Sequence, residues 1–202
     1  MLRAGSAGEL REWFECIQAQ CVGSPFNVVH KQHVDFDLNW TVGNPPDLFV
    51  FEEKIGEGAF ATVYKGRHRD TGFVMAVKIL RMQEESSAQT LQQEIDVLRK
   101  CHSPQIVSYF GTCRMPGQLW ILTELCQCGS LKDLMKLTLE TLNEAQLAFV
   151  AAETLKGLCY LHALRIIHHD IKAGNILLTE DGQPKLADFG VAQQLRSADQ
   201  VV

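Results

Sequence analysis

The chain has 202 residues, 46% of them hydrophobic and 21% charged, with a formal net charge of −5. That composition is that of a globular protein, and the acidic balance gives no electrostatic case for binding nucleic acid or a generally anionic membrane. No apolar run approaches the length of a membrane span, and the opening Met1-Leu2-Arg3-Ala4-Gly5-Ser6 lacks an apolar signal core. The 7 cysteines are scattered, and Cys126-Gln127-Cys128 has no second pair at zinc-site spacing, so reduced thiols in a cytoplasmic protein are expected.

Residues 8–21 predict an amphipathic helix, because Leu10, Trp13, Phe14, Ile17 and Cys21 recur on one face. So short a helix needs a surface to pack against. Residues 22–37 carry Pro25 and a polar run, which predict an extended segment. His30 and His33 have no third ligand at useful spacing, so no metal pair is expected there. Asn44-Pro45-Pro46 marks a boundary. A strand is predicted from Leu48 to Ile55, running into the loop Gly56-Glu57-Gly58-Ala59-Phe60-Ala61-Thr62-Val63. Glycines there let backbone N–H groups approach phosphate oxygens. A dinucleotide-binding turn also begins Gly-x-Gly. Here, however, Ala61 replaces the third glycine and the loop leads into strand-like Val63-Tyr64-Lys65-Gly66 rather than a helix.

Phe73 to Leu80 predicts a buried strand with a single lysine, Lys78, which is costly among apolar neighbours unless paired. A partner follows on the next predicted helix, Ser86 to Lys100. Ser86 or Ser87 can cap it, Leu91, Ile95 and Leu98 form its stripe, and Glu94 lies at the stripe's edge. Ile106–Phe110 and Leu119–Leu125 predict two strands joined by a turn at Met115-Pro116-Gly117. From Gly129 onward the pattern is helical. A short helix starts at Ser130, and a longer one is capped by Asn143 and Gln146, with Leu147, Val150, Thr154, Leu158 and Leu161 on one face.

Ile166-Ile167 then lead into His168–Gly190, where groups suited to magnesium phosphoryl chemistry gather. Asp170 can accept the proton of an attacking hydroxyl, and Lys172 can neutralise a moving phosphoryl group. Asn175 and Asp188 offer the hard oxygens that Mg²⁺ prefers. Between them run apolar Ile176-Leu177-Leu178, a turn at Glu180-Asp181-Gly182 and strand-like Lys185-Leu186-Ala187.

The order Asp170, four residues, Asn175, then Asp188-Phe189-Gly190 resembles the catalytic loop and metal-binding motif of protein kinases. Residues 49–202 are similar to the p21-activated and sterile-twenty-like serine/threonine kinases, especially in Asp170 to Leu178 and Lys185 to Ala192, and Lys172 is a serine/threonine-kinase feature. The resemblance implies an α+β, two-lobe kinase fold: an antiparallel N-lobe sheet with one helix, and a partial helical C-lobe. It implies ATP and Mg²⁺ as cofactors and protein serine or threonine as the phosphoryl acceptor. In that reading Ile55, Gly56, Glu57, Gly58, Ala59, Phe60 and Val63 cover the nucleotide, and Ala76 and Leu177 contact adenine from two sides. Thr123 stands at the back of the pocket and leaves room behind the base, while Glu124, Leu125 and Cys126 form the hinge. Lys78, positioned by Glu94, holds phosphates, and Asn175 and Asp188 hold Mg²⁺. Asp170 orients the acceptor hydroxyl with Lys172 beside it.

Val22, Ser24, Pro25, Val28, His30, His33, Val34 and Asp37 resemble the Rho-family GTPase-binding motif of the p21-activated kinases. Val28 stands where that motif usually has Phe, and Asp35 where it has Gly. The likeness implies a Rho-family small GTPase as partner, with peripheral membrane recruitment through it or through an upstream domain; a plain linker is the other reading. The helix at 8–21 is similar to the closing helix of a pleckstrin-homology domain, and docking on its own kinase domain is the alternative. The organisation read from the sequence is therefore 1–21, 22–46 and 49–202.

Two departures from the kinase pattern stand out. His169 occupies the place of an Arg that normally receives a phosphorylated activation-loop residue, and histidine is only partly protonated near neutral pH, so weaker dependence on loop phosphorylation is expected. The chain also ends at Val202, early in the implied activation loop. That predicts an incomplete kinase domain with a nucleotide site, without productive peptide phosphorylation, and with apolar surface left open on the long helix. A non-catalytic GTPase- and nucleotide-binding module with a degenerate kinase fold is the competing function, against which the intact Lys78, Glu94, Asp170, Asn175 and Asp188 speak. An oxidoreductase is suggested only by the glycine loop, with no strand-loop-helix unit and ribose-binding acid to support it.

Overall fold

The computed structural model describes residues 45–58, 61–81 and 94–195. The readings for residues 1–44, for Ala59 and Phe60, and for the start of the helix from Ser86 through Leu91 lie outside the described residues. A short turn of helix, α1 (Pro45–Leu48), leads into β1 (Phe49–Glu57), β2 (Ala61–His68) and β3 (Val74–Arg81). Helix α2 (described over residues 94–100) is followed by β4 (Tyr109–Met115) and β5 (Gln118–Thr123). These strands form one antiparallel sheet in the order β1-β2-β3-β5-β4. Helices α3 (Leu131–Thr138) and α4 (Glu144–Ala163) come next, then β6 (Ile166–Ile167), a 3₁₀ turn (Ala173–Asn175), β7 (Ile176–Leu178), β8 (Pro184–Leu186) and β9 (Gln193–Gln194). β6 pairs with β9 and β7 with β8, both antiparallel.

Alternation along the strands divides the apolar residues between two cores. Met75 and Val77 of β3 join Phe49, Cys113, Trp120 and Leu122 on one face of the sheet. Leu80 of β3, with Leu119 and Ile121 of β5, faces the other way, into a larger core shared with Ile95 and Leu98 of α2, Val150 and Leu161 of α4, and Leu178 and Leu186 of the β7–β8 hairpin. The second core therefore couples the sheet to the helical part, and the candidate site residues sit along the seam.

Local signals set the helix ends. Ser130 caps α3 by accepting the Asp133 N–H at 3.1 Å, and the helix ends at Leu139, whose φ is 56°. Asn143 and Gln146 form a reciprocal capping box on α4, each accepting the other's backbone N–H at 2.9 Å. Gly157 lets α4 lie close to β8, because a Cβ there would stand 3.0 Å from Leu186 Cδ1. The Tyr160 hydroxyl of α4 accepts the His102 N–H at 2.7 Å, which ties the segment after α2 to the helical part.

Two expectations are corrected. The strand read at Ile106–Phe110 begins only at Tyr109. Ile106 and Val107 are buried, but they pack along β8: Ile106 bridges Leu186, and the Val107 N–H donates to the Leu186 carbonyl at 3.0 Å. Leu147 is 57% exposed, so it does not belong to the buried face of α4. That face runs through Gln146, Val150, Gly157 and Leu161, so Val150 and Leu161 lie where expected and the capping Gln146 takes the buried place in the first turn. Leu155 is also exposed on this helix. Among the described residues, no helix is long and apolar enough to cross a membrane.

Candidate active site

A cavity of about 560 Å³ opens between the sheet and the helical part. Its roof is Ile55, Gly56, Glu57, Gly58 and Val63 from β1 and β2. Ala76 of β3 and Leu177 of β7 line it from the two halves. Thr123 ends β5 beside Ala76 in register, and Glu124, Leu125 and Cys126 continue the wall. Lys78, Glu94, Asn175 and Asp188 also line the cavity. Asp170 and Lys172 are not among its lining residues and connect to it through Asn175. Ala59 and Phe60 lie outside the described residues.

The charged end has a defined geometry. Lys78 Nζ donates to Glu94 Oε1 at 2.7 Å and to Asp188 Oδ1 at 3.2 Å, and Glu94 is buried. Burial alone would push the Lys78 ammonium down. The charges of Glu94 and Asp188, with their hydrogen bonds, outweigh it and hold the group above its ordinary value. The expected pair is therefore present, and Glu94 lies inside the apolar stripe of α2 rather than on its solvated flank.

Asn175 is the other fixed point. Its Nδ2 donates to the Asp170 carbonyl and to Asp170 Oδ2, both at 2.9 Å, so both amide hydrogens are committed and Oδ1 remains as an acceptor. Lys172 Nζ lies 2.5 Å from the same Asp170 Oδ2. The Lys172 contact, with help from Asn175, holds the Asp170 carboxyl below the usual carboxylate range, so it is ionised at neutral pH. The Ala187 N–H donates to the Asn175 carbonyl at 2.9 Å, joining this loop to the strand that delivers Asp188. Two hard oxygen donors from Asn175 and Asp188 suit Mg²⁺, which takes few protein ligands and completes its shell with water and phosphate oxygens.

Sequence reasoning assigned no role to His168. It is buried, its ring stands 4.9 Å from that of Phe189, and its Nε2–H donates to the Ala187 carbonyl at 3.1 Å. Its Nδ1 accepts the Asp170 N–H at 3.4 Å. Burial pushes its pKa down, so a neutral imidazole bridges Asp170 and the residue before Asp188. His169 and Asp188 adopt φ of 65° and 63°, a conformation that costs a non-glycine residue roughly 1 kcal/mol. The His168 bridge and the Lys78 contact hold that strained backbone in place.

Ile121, Val107, Ala187 and Phe189 also line the cavity and were not assigned to it from the sequence. Ile121 was legible, since it shares the strand face of Thr123 two residues on. Val107 was not, because its place depends on β8. Burial raises the Cys126 thiol to about 12 and the Cys128 thiol to about 11, so neither is a nucleophile at neutral pH.

A glycine loop over a cavity, a lysine shared by two carboxylates, and an asparagine at the cavity that holds an aspartate behind it define a protein kinase domain. The protein kinase domain family matches residues 49–202, and the chain belongs to that family. Proteins of Dictyostelium discoideum are among those it is similar to. It is 50% identical over 177 residues to serine/threonine-protein kinase pakF, covering 88% of this chain and 15% of that protein. To serine/threonine-protein kinase pakE it is 46% identical over 177 residues, covering 87% and 19%. To serine/threonine-protein kinase pakH it is 42% identical over 176 residues, covering 87% and 34%. The chain thus spans a minor part of the length of each of these relatives.

Proposed function

We propose that the protein transfers a phosphoryl group from Mg-ATP to serine or threonine of protein substrates. The observation that carries this reading is Lys78 held between Glu94 and Asp188 at the cavity, with the Asp170–Asn175 pair beside it. Lys78 would bind phosphate oxygens, and Asp170 would accept the proton of the incoming hydroxyl, which Lys172 helps to steady. Asn175 and Asp188 would hold Mg²⁺, which when bound neutralises charge on the phosphates. Placement and charge neutralisation, rather than covalent chemistry, supply the acceleration. The test is phosphorylation of a mixed protein substrate by the protein purified intact from its host. Phosphoserine and phosphothreonine are expected, with a loss of at least about 100-fold in Asp170→Asn. Phosphotyrosine alone, or a loss below tenfold, would contradict it.

Regulation by a Rho-family small GTPase belongs to the same proposal, as do a cytoplasmic place and recruitment to the membrane through the GTPase. Its support is the run Val22, Ser24, Pro25, Val28, His30, His33, Val34 and Asp37. The 177-residue likeness to the kinase named pakF is also longer than residues 49–202, so it reaches upstream of the kinase domain. Such segments bind by adding an extended strand to a sheet edge. Capture of the GTP-loaded but not the GDP-loaded GTPase is expected, with loss of capture when His30 and His33 are both changed to Ala. Equal capture of both nucleotide states would contradict it.

A further inference from the structure

The segment between β5 and α3 forms one wall of the cavity, and the β7–β8 hairpin grips it at both ends. At the far end the Cys128 N–H donates to the Leu178 carbonyl at 3.2 Å, and the Leu178 N–H donates to the Gly129 carbonyl at 2.9 Å. At the near end Glu124 Oε2 lies 3.0 Å from Lys185 Nζ and accepts the Ser108 N–H at 3.1 Å. The Glu124 N–H in turn donates to the Ser108 carbonyl at 2.9 Å. Lys185 lies directly across the hairpin from Leu177, the residue that lines the cavity from β7. Its side chain is only 11% exposed, and that of Glu124 is 25% exposed. A lysine so enclosed on a three-residue strand is costly unless its charge is used, and the partner it meets belongs to the wall, 61 positions earlier in the chain.

We propose that Lys185 is a positioning residue for the nucleotide base. Through Glu124 it fixes the backbone of residues 124–126 against Leu177, so that the base enters a preformed slot instead of ordering a loose wall on arrival. This inference rests on the reading of the cavity as a nucleotide site. The lysine touches neither the phosphate-facing Lys78 nor Asp188, so its effect falls on the base and not on the triphosphate.

The experiment is equilibrium binding of two probes in the presence of Mg²⁺, ATP and inorganic tripolyphosphate, to the full chain and its variants. Lys185→Met is expected to weaken ATP about tenfold, the size of a lost preorganisation effect, while tripolyphosphate binding stays unchanged. Lys185→Arg, which keeps the charge, restores ATP binding. Glu124→Gln weakens ATP as Lys185→Met does, and the double variant is no weaker than either single one. Should Lys185→Met fail to fold, Glu124→Gln and Lys185→Arg carry the same comparison. Unchanged ATP binding in the single variants, equal weakening of both probes, or additive effects in the double variant would overturn the proposal. Wild-type protein that bound tripolyphosphate and ATP equally would overturn it too; wild-type protein that bound neither would overturn the nucleotide reading, and this inference with it.

Discussion

Replacing Glu94 by Gln is expected to lower the melting temperature by about 6–12 °C, the consequence of losing about 3 kcal/mol in a domain of this size. Lys78 sits on a central strand of the sheet, between β2 and β5, where solvation by water is poor. Its charge is tolerable because Glu94 lies 2.7 Å away and Asp188 3.2 Å away. Without Glu94 the ammonium keeps only the longer contact, to a carboxylate that is itself half exposed. The loss falls at the lower end of what breaking a buried pair costs, because Asp188 still compensates in part. A double variant, Glu94→Gln with Lys78→Met, buries no unpaired charge and is expected to melt higher than Glu94→Gln alone. The pairing raises the folded Lys78 pKa above its ordinary value of 10.5. Its stabilisation is therefore complete below the unfolded value and fades only as pH climbs through the folded one. The gap in melting temperature between wild type and Glu94→Gln should accordingly stay level from about pH 6 to about pH 9. Thermal unfolding followed by circular dichroism checks both statements, and a variant that melts within a degree of wild type would refute the first.

The geometry of the candidate site was legible in the sequence wherever it depends on short-range order. Asp170, Lys172 and Asn175 fall within one loop, so their spacing alone brings them together, and the structure joins them by contacts of 2.5 and 2.9 Å. The Lys78–Glu94 pair was legible for a different reason: an isolated lysine in an apolar strand demands a partner, and few candidates exist. What escaped depends on packing between distant segments. Ile106 and Val107 read as a strand because they are apolar and β-branched, yet the Val107 N–H goes to Leu186 of β8 and the Ile106 N–H to the Ser103 carbonyl, and neither pairs with β5. Leu147 read as core because it fits the helical period, yet Gln146 takes the buried place through its cap. The Glu124–Lys185 tie was invisible for the same cause, since neither residue carries a local pattern that points to the other. His168 was passed over because a histidine before a carboxylate has many readings until Ala187 and Phe189 are placed around it.

The largest expected effect on ligand binding lies at Asp188. Its carboxylate reaches the cavity on a left-handed backbone, φ 63°, with one oxygen on Lys78. Asn175 presents a single amide oxygen, so in the proposed function the hold on Mg²⁺ would depend mainly on the Asp188 charge. Asp188→Asn removes that charge while keeping the shape and an oxygen donor, so the fold should persist while the metal is lost. Losses of metal affinity reach about 100-fold even when only an outer partner of a ligand is removed, and the loss here should be at least as large. The measurement is calorimetric titration of ATP into the chain with and without Mg²⁺. Wild-type protein should bind ATP much more tightly with the metal than without it, and Asp188→Asn should bind ATP with no magnesium dependence at all. An Asp188→Asn protein that still tightened on ATP when Mg²⁺ was added, as wild type does, would contradict the assignment of this cavity to a metal-bound nucleotide.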